Sequence, residues 1–313
     1  MDRSPKRWIV IGLLALVLLS AVALLWPGQP GGRAGRPGAG NLIAVVSIEG
    51  PIAGSAGAEG LFGAVAGADE IVEQLKTARE DPTIRAVVIR MNTPGGSAAA
   101  SQEIGEAVRR VREAGKPVVV SIGDLAASGG YWIAATADRI VANPASLTGS
   151  IGVIMEVTHF EDLYEKLGIE VETIKSGPYK DIGSTTRPPT EEERRLLQGL
   201  VDDIYQQFVD VVARGRRLPR QQVLALADGR VLTGRQAKEA GLVDELGTFE
   251  DAVRVAASLA RLEDYHLTDL SEPHPLRDFF RLLGGARWPA AALPQDTWSP
   301  TLVRWELFRF LPR

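Results

Sequence analysis

Cysteine is absent from this 313-residue sequence, and histidine occurs only three times. Without cysteine there is no disulfide, no cysteine-ligated zinc site and no cysteine nucleophile, and three histidines are too few for a histidine-rich metal centre. The body of the chain also has little positive charge: residues 1–40 carry a net charge of +4, which leaves −8 on the remaining 273 residues. This acidic surplus argues against nucleic acid as a partner. With 45% hydrophobic and 24% charged residues, the composition is that of a folded globular protein.

An uncharged, largely apolar run of nineteen residues occupies positions 8–26. As a helix rising about 1.5 Å per residue, this run is long enough to cross a bilayer. Lys6 and Arg7 precede it, so residues 1–7 are expected in the cytoplasm and the body of the chain outside it. The sequence therefore predicts a single-pass anchor in the lipid of the cell membrane, with an extracytoplasmic domain. The alternative is a cleaved signal peptide, because Ala21 and Ala23 fit the small-x-small pattern of a cleavage site.

Composition divides the rest of the chain into three parts. Residues 27–40 are mainly proline, glycine and alanine, which predicts a flexible linker. A folded domain is predicted over residues 41–262. Residues 263–313 form a C-terminal extension that holds half of the six tryptophans and half of the eight phenylalanines. Two interpretations of these rings stay open: they pack on the core, or they contact the membrane interface or another subunit.

Strand-like and helical patterns alternate within the predicted domain. Apolar runs bounded by turn residues predict strands at 42–48, 85–91, 117–122 and 139–143. Helices are predicted at 68–79, 101–114 and 190–215, with a short helix from Ser128. Continuous apolar strands separated by helices are typical of sheets that are covered on both faces. We therefore predict an α/β fold with mostly parallel strands.

Residues 92–97, with the sequence NTPGGS, directly follow the predicted strand 85–91. The adjacent Gly95 and Gly96 allow backbone N–H groups to turn toward a ligand, because no Cβ stands in the way. At the carboxyl end of a strand in an α/β fold, such a loop can bind an oxyanion. Taken alone, the stretch favours an ordinary strand-to-helix turn over an oxyanion site.

Ser128 lies among small residues at the start of the predicted short helix. Its hydroxyl would be exposed there, the N–H of Gly129 would be free to donate, and the helix dipole would favour negative charge. These features make Ser128 a candidate nucleophile. The alternative is a plain N-cap serine. The nucleophile elbow of the α/β-hydrolases is not supported, because Ala126 replaces the first glycine of G-x-S-x-G.

A polar stretch at 175–184, KSGPYKDIGS, contains turn residues and two lysines. A serine nucleophile needs a base, and of the histidines only His159 is near in sequence, without a motif around it. A lysine can serve when burial lowers its pKa from about 10.4 toward the working pH. Lys175 and Lys180 are therefore candidates, against the alternative that each is an ordinary solvated charge.

Six motifs occur between residues 42 and 260: NTPGGS at 92–97, LAASGGYWIA at 125–134, TGSIGVI at 148–154, KSGPYKDIGS at 175–184, EEER at 191–194 and GLVDELG at 241–247. In these motifs and their order the chain resembles the signal peptide peptidase SppA family, in its short, single-domain form. The resemblance implies a ClpP/crotonase-like fold of repeated β-β-α units and a Ser/Lys serine protease without a metal or other cofactor. It places the nucleophile on Ser128, the general base on Lys180 and a lysine-orienting hydroxyl on Ser150, whereas Lys175 matches no catalytic position.

The same resemblance implies how the site would work. The backbone N–H groups of Gly129 and of Gly95 or Gly96 would hold the oxyanion. The expected activity is that of a membrane-anchored endopeptidase acting on apolar peptide segments, above all signal peptides left in the membrane. A homo-oligomeric ring is also implied. The fifty-two residues between Ser128 and Lys180 permit a dyad within one chain or across two.

Three other functions stay open from the sequence. One is a stomatin-associated type of Ser/Lys protease that acts on mature membrane proteins. A crotonase-type acyl-CoA enzyme would stabilise an enolate with backbone N–H groups but would need neither Ser128 nor Lys180. A non-catalytic scaffold would bind peptides on the same fold without cutting them. A fluorophosphonate probe separates the scaffold from an enzyme, because only an activated serine reacts.

Overall fold

A computed structural model describes residues 40–55 and 65–271 of the chain. The predicted cytoplasmic start (1–7), the predicted anchor (8–26), nearly all of the predicted linker (27–40) and residues 272–313 of the predicted extension lie outside the described residues. Of the helices in the described part, none has both the length and the apolar character that crossing a bilayer requires.

The described residues form strands and helices in an alternating order. The strands are β1 (Leu42–Glu49), β2 (Ile52–Ala53), β3 (Ala66–Gly67), β4 (Ile84–Thr93), β5 (Val118–Ala127), β6 (Arg139–Ala142), β7 (Leu147–Gly149), β8 (Val231–Thr233), β9 (Glu245–Leu246) and β10 (His266–Asp269). The helices are α1 (Ala68–Glu80), α2 (Ala98–Glu113), α3 (Gly129–Ala134), α4 (Glu161–Lys166), α5 (Glu191–Arg216), α6 (Arg220–Leu226), α7 (Gly234–Glu239) and α8 (Phe249–Leu259).

The main sheet has the strand order β10-β1-β4-β5-β6-β9, and all of these neighbours are parallel. Strand β5 pairs twice: residues 119–122 pair with β6, and residues 125–127 pair with β7. β8 runs antiparallel to β7, and β2 pairs with β3 in a separate small sheet. The predicted α/β fold with mostly parallel strands is therefore confirmed. β10 lies next to β1 and falls within the segment that the sequence sets apart as a C-terminal extension.

Apolar side chains cover both faces of the main sheet. On one face, Leu75 of α1, Ile104 of α2 and Phe208 of α5 belong to one buried cluster with the strands. On the other face, α8 packs its alanines and Val253 against the second cluster. Because both faces are covered, the central strands are apolar along nearly their whole length. Since both faces of the sheet are covered, the chain leaves these layers at the carboxyl ends of β4 and β5.

Local signals account for most element boundaries. The long helix predicted at 190–215 is α5, where Thr190 and Glu193 form a capping box at the first turn. The helix predicted from residue 101 begins earlier, at Ala98, because the Ser97 hydroxyl accepts the N–H of Ala100 at 3.3 Å and caps it. The strand predicted to end at residue 122 continues to Ala127, because its second half pairs with β7.

Candidate active site

Ser128 stands between β5 and α3, half-buried, with φ 52° and ψ −121°. Its backbone N–H donates to the carbonyl oxygen of Gly149 at 3.0 Å, which ties the end of β5 to β7. The residue occupies the N-cap position of α3, but its side chain makes no capping hydrogen bond. A non-glycine residue at positive φ is a strained conformation of the kind that clusters at functional sites. The hydroxyl of Ser128 makes no hydrogen bond with another described residue, and the plain N-cap interpretation does not account for it.

The glycine loop that follows β4 packs directly against Ser128. Gly95 has φ +97°, and a Cβ built on it would lie 2.6 Å from the nitrogen of Gly129 and 2.8 Å from Cβ of Ser128. Both distances are too short for a real Cβ contact. A glycine at position 95 is therefore required by the closeness of the two backbones as well as by its positive φ.

Backbone hydrogen bonds between Ile52 and the two neighbours of Gly96 hold this part of the loop in place. The N–H of Ile52 donates to the Gly95 oxygen at 2.8 Å, and the N–H of Ser97 donates to the Ile52 oxygen at 2.9 Å. A Cβ on Gly96 would overlap the Ile52 oxygen. The loop is thus held between the β2 segment and the Ser128 turn, which fixes the direction of its N–H groups.

The N–H groups of the two loop glycines differ. That of Gly95 donates to the Thr93 hydroxyl at 3.1 Å, and Thr93 in turn donates to the Gly50 oxygen at 2.6 Å. The N–H of Gly96 has no acceptor among the described residues, and the same holds for the N–H of Gly129. A Cβ on Gly129 would lie 3.2 Å from the nitrogen of Gly96, so these two unused donors are neighbours. Of the two glycines that the sequence offers for an oxyanion, Gly96 has the free donor.

The sixteen-residue helix α2 begins next to these donors. Its N-cap, Ser97, directly follows Gly96, so the positive end of the helix dipole lies at the glycine loop and favours negative charge there. Ser101 of this helix is fully buried and donates to the Ser97 oxygen at 2.9 Å. Its hydroxyl lies where a Cβ on Gly129 would fall. Ser101 thus packs against Gly129, next to the two donors.

Sequence reasoning missed Thr93 and Ser101. Thr93 is a fully buried polar residue at the end of an apolar strand, and such a residue next to two glycines is the signal that could have found it. Ser101 stands four residues after Ser97 and therefore on the same side of the helix. These two hydroxyls hold the loop and the helix turn that carry the donors.

Ser150 lies beside Ser128, as the next residue after the Gly149 that accepts the Ser128 N–H. It is half-buried, has φ 49°, and its own N–H donates to the Arg230 oxygen at 2.8 Å. Its hydroxyl makes no hydrogen bond with another described residue. The structure therefore brings together Ser128, the glycine loop, Gly129 and Ser150.

Lys180 is not part of this group within the single chain. It is exposed on a loop of turns, its backbone N–H donates to the Gly177 oxygen at 3.2 Å, and its amine makes no hydrogen bond or ion pair with another described residue, Ser128 included. Lys175, by contrast, pairs with Asp181 at 2.6 Å. Of the two possibilities that the sequence left open, the arrangement in one chain does not by itself complete a Ser128/Lys180 dyad.

The segment that carries Lys180 is laid out on the surface. Between residues 152 and 192 no residue is buried, and we call residues 152–189 the arm. Many of its apolar side chains face water: Ile154, Met155, Phe160, Leu163, Leu167, Ile169, Val171 and Ile174. Ile174 is 92% exposed and Ile154 is 85% exposed. Exposed apolar side chains in this number are typical of surfaces that contact another protein or a membrane.

The described part of the chain holds no candidate metal-binding site. Within residues 40–55 and 65–271, no three His, Asp or Glu side chains are grouped so that they could hold a metal ion.

Comparisons with known proteins give a consistent result. A family model described as peptidase family S49 matches residues 110–263. A protein of Synechocystis, provisionally named a protease, is 46% identical over 217 residues, which cover 69% of this chain and 77% of that protein. A protein of Enterococcus faecium, provisionally named signal peptide peptidase SppA, is 36% identical over 286 residues, covering 83% of this chain and 83% of that protein. A solved structure of a membrane-bound stomatin-specific protease is 15% identical with a TM-score of 0.47, covering 75% of this chain and 100% of that one. This last likeness is too distant to bear on the activity.

Proposed function

The chain belongs to peptidase family S49, the family of the SppA serine proteases, and on that premise we propose that Ser128 is its nucleophile and Lys180 its general base. The observation that carries the proposal is the environment of Ser128. Among the described residues its hydroxyl has no hydrogen-bond partner, and the N–H groups of Gly96 and Gly129, which have no acceptor there either, lie beside it. A nucleophile next to two backbone donors is the arrangement that acyl transfer requires.

The reaction begins when the neutral amine of Lys180 takes the proton of the Ser128 hydroxyl. The Ser128 oxygen bonds to the carbonyl carbon of the peptide, and the carbonyl oxygen becomes an oxyanion. As the C–N bond breaks, the Lys180 ammonium returns its proton to the leaving amine, and an acyl-enzyme remains on Ser128. Water then attacks this ester and gives its proton to Lys180. The ester C–O bond to Ser128 then breaks, the Lys180 ammonium returns its proton to the Ser128 oxygen, and the carboxylic product leaves with Lys180 neutral again.

Gly96 and Gly129 are the proposed oxyanion donors. Gly95 takes a different role, because its N–H is already used by Thr93 and its Cα lies against Ser128. The dipole of α2 adds to the stabilisation of negative charge at this point. Loss of one such donor costs about 3–4 kcal/mol in the activation barrier, so the glycine loop should matter nearly as much as the two side chains.

A homo-oligomer is the second part of the proposal. The amine of Lys180 has no partner in the described part of its own chain, and the arm that carries it exposes a row of apolar side chains. Burial of these side chains against another copy would remove them from water and bring Lys180 to a Ser128 that is not its own. We therefore place the dyad between neighbouring subunits of a ring. Ser150, beside Ser128, is the residue proposed to orient the incoming lysine.

The proposed substrate is an extended apolar segment, above all a signal peptide left in the membrane. Two observations support it: the name of the Enterococcus relative, and the predicted anchor at 8–26 with its fourteen-residue linker. As a flexible coil, such a linker spans about 20 Å, so the site would stay near the bilayer. Peptides with leucine or alanine before the scissile bond should be cleaved faster than charged ones. Equal rates would contradict the substrate and leave the dyad standing.

The decisive experiment combines two inactive variants of the full-length chain. Ser128→Ala chains keep Lys180, and Lys180→Ala chains keep Ser128, so co-expression creates subunit contacts with one intact serine and one intact lysine. If the dyad crosses the interface, about a quarter of the contacts in a randomly mixed ring are complete. Hydrolysis of an apolar fluorogenic peptide should then return to about a quarter of the parent rate.

The control is each variant expressed alone, which should be inactive. If both are inactive alone and the mixture stays inactive although both chains are in one oligomer, the dyad lies within one chain. If the Lys180→Ala chain alone keeps the parent rate, Lys180 is not the base.

One alternative has an observation in its favour. The separation of Lys180 from Ser128 in the single chain is also what a non-catalytic peptide-binding scaffold would have. Fluorophosphonate labelling decides between the two, because only a serine activated by a base reacts. Labelling of Ser128 in the assembled protein supports the protease, and its absence supports the scaffold.

A further inference from the structure

The loop that carries Lys180 is exposed, yet the side chains on both sides of Lys180 are anchored. The Tyr179 hydroxyl donates to a carboxylate oxygen of Glu192 at 2.5 Å. The Asp181 carboxylate accepts from the Lys175 amine at 2.6 Å and from Arg187 at 2.9 Å. Lys180 is thus bracketed by two fixed residues, while its own amine has no partner among the described residues.

Arg187 connects this loop to helix α5. Its Nε donates to Oδ2 of Asp181 at 3.0 Å. Its two terminal nitrogens donate to the two oxygens of Glu193, Nη1 at 2.8 Å and Nη2 at 2.6 Å. The guanidinium therefore binds one carboxylate of the loop and, with both prongs, one carboxylate of the helix. A lysine has no such planar fork and could not make both contacts with this geometry.

Glu193 is the fixed end of the connection. Its side chain is only 2% exposed, and the N–H of Thr190 donates to its Oε2 at 2.8 Å, while the N–H of Glu193 donates to the Thr190 hydroxyl at 3.2 Å. This capping box begins α5, whose Phe208 and Val212 belong to the buried core. The chain of contacts thus runs from the core through the first turn of α5 and Arg187 to Asp181, the residue after Lys180.

The charges of this network persist over the working pH range. The side-chain hydrogen bonds from Arg187 lower the pKa of Glu193 to about 2 and, together with those from Lys175, hold the pKa of Asp181 well below its ordinary value. The two carboxylates in turn raise the pKa of Arg187. Both carboxylates are therefore ionised wherever the enzyme would act, and the contacts keep their charge-assisted strength.

We propose that Arg187 is a positioning residue, which holds the Lys180 loop on the first turn of α5 so that Lys180 is presented outward at a fixed place. The proposal rests on the proposed function, in which Lys180 is the base. Between residues 152 and 192 no side chain is buried, so apolar packing within the chain does not fix the loop. The Arg187 bridge and the Tyr179 contact to Glu192 tie the loop to the first turn of α5.

The test uses the assembled full-length protein and measures the rate constant for fluorophosphonate labelling of Ser128. Arg187→Met removes the fork but keeps an unbranched apolar stem. The matched control is Arg220→Met, because Arg220 also forms an ion pair on α5, with Asp210 at 2.8 Å, but at the other end of the helix. Arg187→Lys and Asp181→Asn complete the set. Asp181→Asn weakens the loop end of the bridge, together with the Lys175–Asp181 ion pair, and leaves Glu193 and its capping box intact.

Arg187→Met and Asp181→Asn should lower the labelling rate constant about a hundredfold, since displacement of a catalytic group by about 1 Å has an effect of that size. Arg187→Lys should not restore it, and Arg220→Met should label at the parent rate. In peptide hydrolysis the loss should fall on kcat, with KM nearly unchanged. In a Lys180→Ala background, the slow residual labelling of Ser128 at high probe concentration should not change further with Arg187→Met, because a residue that acts through Lys180 has nothing left to position.

Two results would overturn the inference. One is labelling at the parent rate by a folded Arg187→Met or Asp181→Asn protein. The other is an equal loss from Arg187→Met with and without Lys180, which would mean that Arg187 supports the fold generally. Failure of the proposed function has a different signature, because in that case Lys180→Ala itself labels at the parent rate.

Discussion

Replacement of Gly95 by alanine should damage the site through the backbone alone. The added Cβ would lie 2.6 Å from the nitrogen of Gly129 and 2.7 Å from the oxygen of Ala127, so the loop and the Ser128 turn would have to move apart. An alanine at a φ of +97° costs about 1–2 kcal/mol in strain. Forced overlap in a packed region adds about 1–3 kcal/mol. The free energy of unfolding should therefore fall by about 2–5 kcal/mol.

Gly115→Ala is the matched control for this substitution. Gly115 has φ +81°, but nothing lies within 4 Å of where its Cβ would be. It should lose only the strain, about 1–2 kcal/mol, and keep its activity. Urea denaturation and peptide hydrolysis of both variants give the comparison. Gly95→Ala should lose about 1–3 kcal/mol more stability than Gly115→Ala. Its kcat should also fall about a hundredfold, because the oxyanion donors shift. Equal stability of the two variants, with parental kcat in both, would refute the close approach of the two backbones.

Three further outcomes are expected. Ser128→Ala should lose hydrolysis and fluorophosphonate labelling but unfold at nearly the parent urea concentration, because the hydroxyl makes no capping bond and serine and alanine share the same strain at φ 52°. Phe208→Ala should lose about 3–5 kcal/mol of stability in the same assay, since this ring is 2% exposed and stacks 5.0 Å from Trp132. Glu193→Gln should lower the melting temperature at neutral pH, and its deficit should shrink as the pH falls. The pKa of Glu193 in the folded protein is depressed to about 2. The stability that ionised Glu193 contributes is therefore complete above the pKa of an unfolded glutamate, about 4.3, and is lost as the pH falls from there to the folded pKa. A deficit that does not change with pH would contradict this reasoning.

Secondary structure followed from the sequence wherever the signal was local. Thr190 and the three glutamates after it define the start of α5, and the capping box at Thr190 and Glu193 shows why the prediction was accurate. The end of β5 was wrong by five residues, because residues 125–127 pair with β7, which comes twenty residues later, and Ala126 also pairs with Thr93 at the end of β4. Pairing with a distant segment leaves no periodic pattern in the strand itself.

In the candidate site too, local motifs predict one part and contacts with distant residues decide the other. The positions of Ser128, Gly96 and Gly129 depend on short strand-to-helix turns, so their grouping could be predicted from motifs. The choice of Gly96 over Gly95 as donor could not, because it depends on Thr93, whose hydroxyl takes the Gly95 N–H. The partner of Lys180 could not be predicted either. The fifty-two residues between Ser128 and Lys180 permit a dyad within one chain or across two.

If the dyad forms between subunits as proposed, the arm makes the activity depend on the concentration of the chain. Its apolar side chains are unburied in the lone chain, while the core that carries Ser128 is complete without them. A newly made chain would therefore be folded but harmless to its neighbours, since it holds a nucleophile without a base. It would become a protease only on meeting other copies. The local concentration of chains would then decide where and when proteolysis occurs.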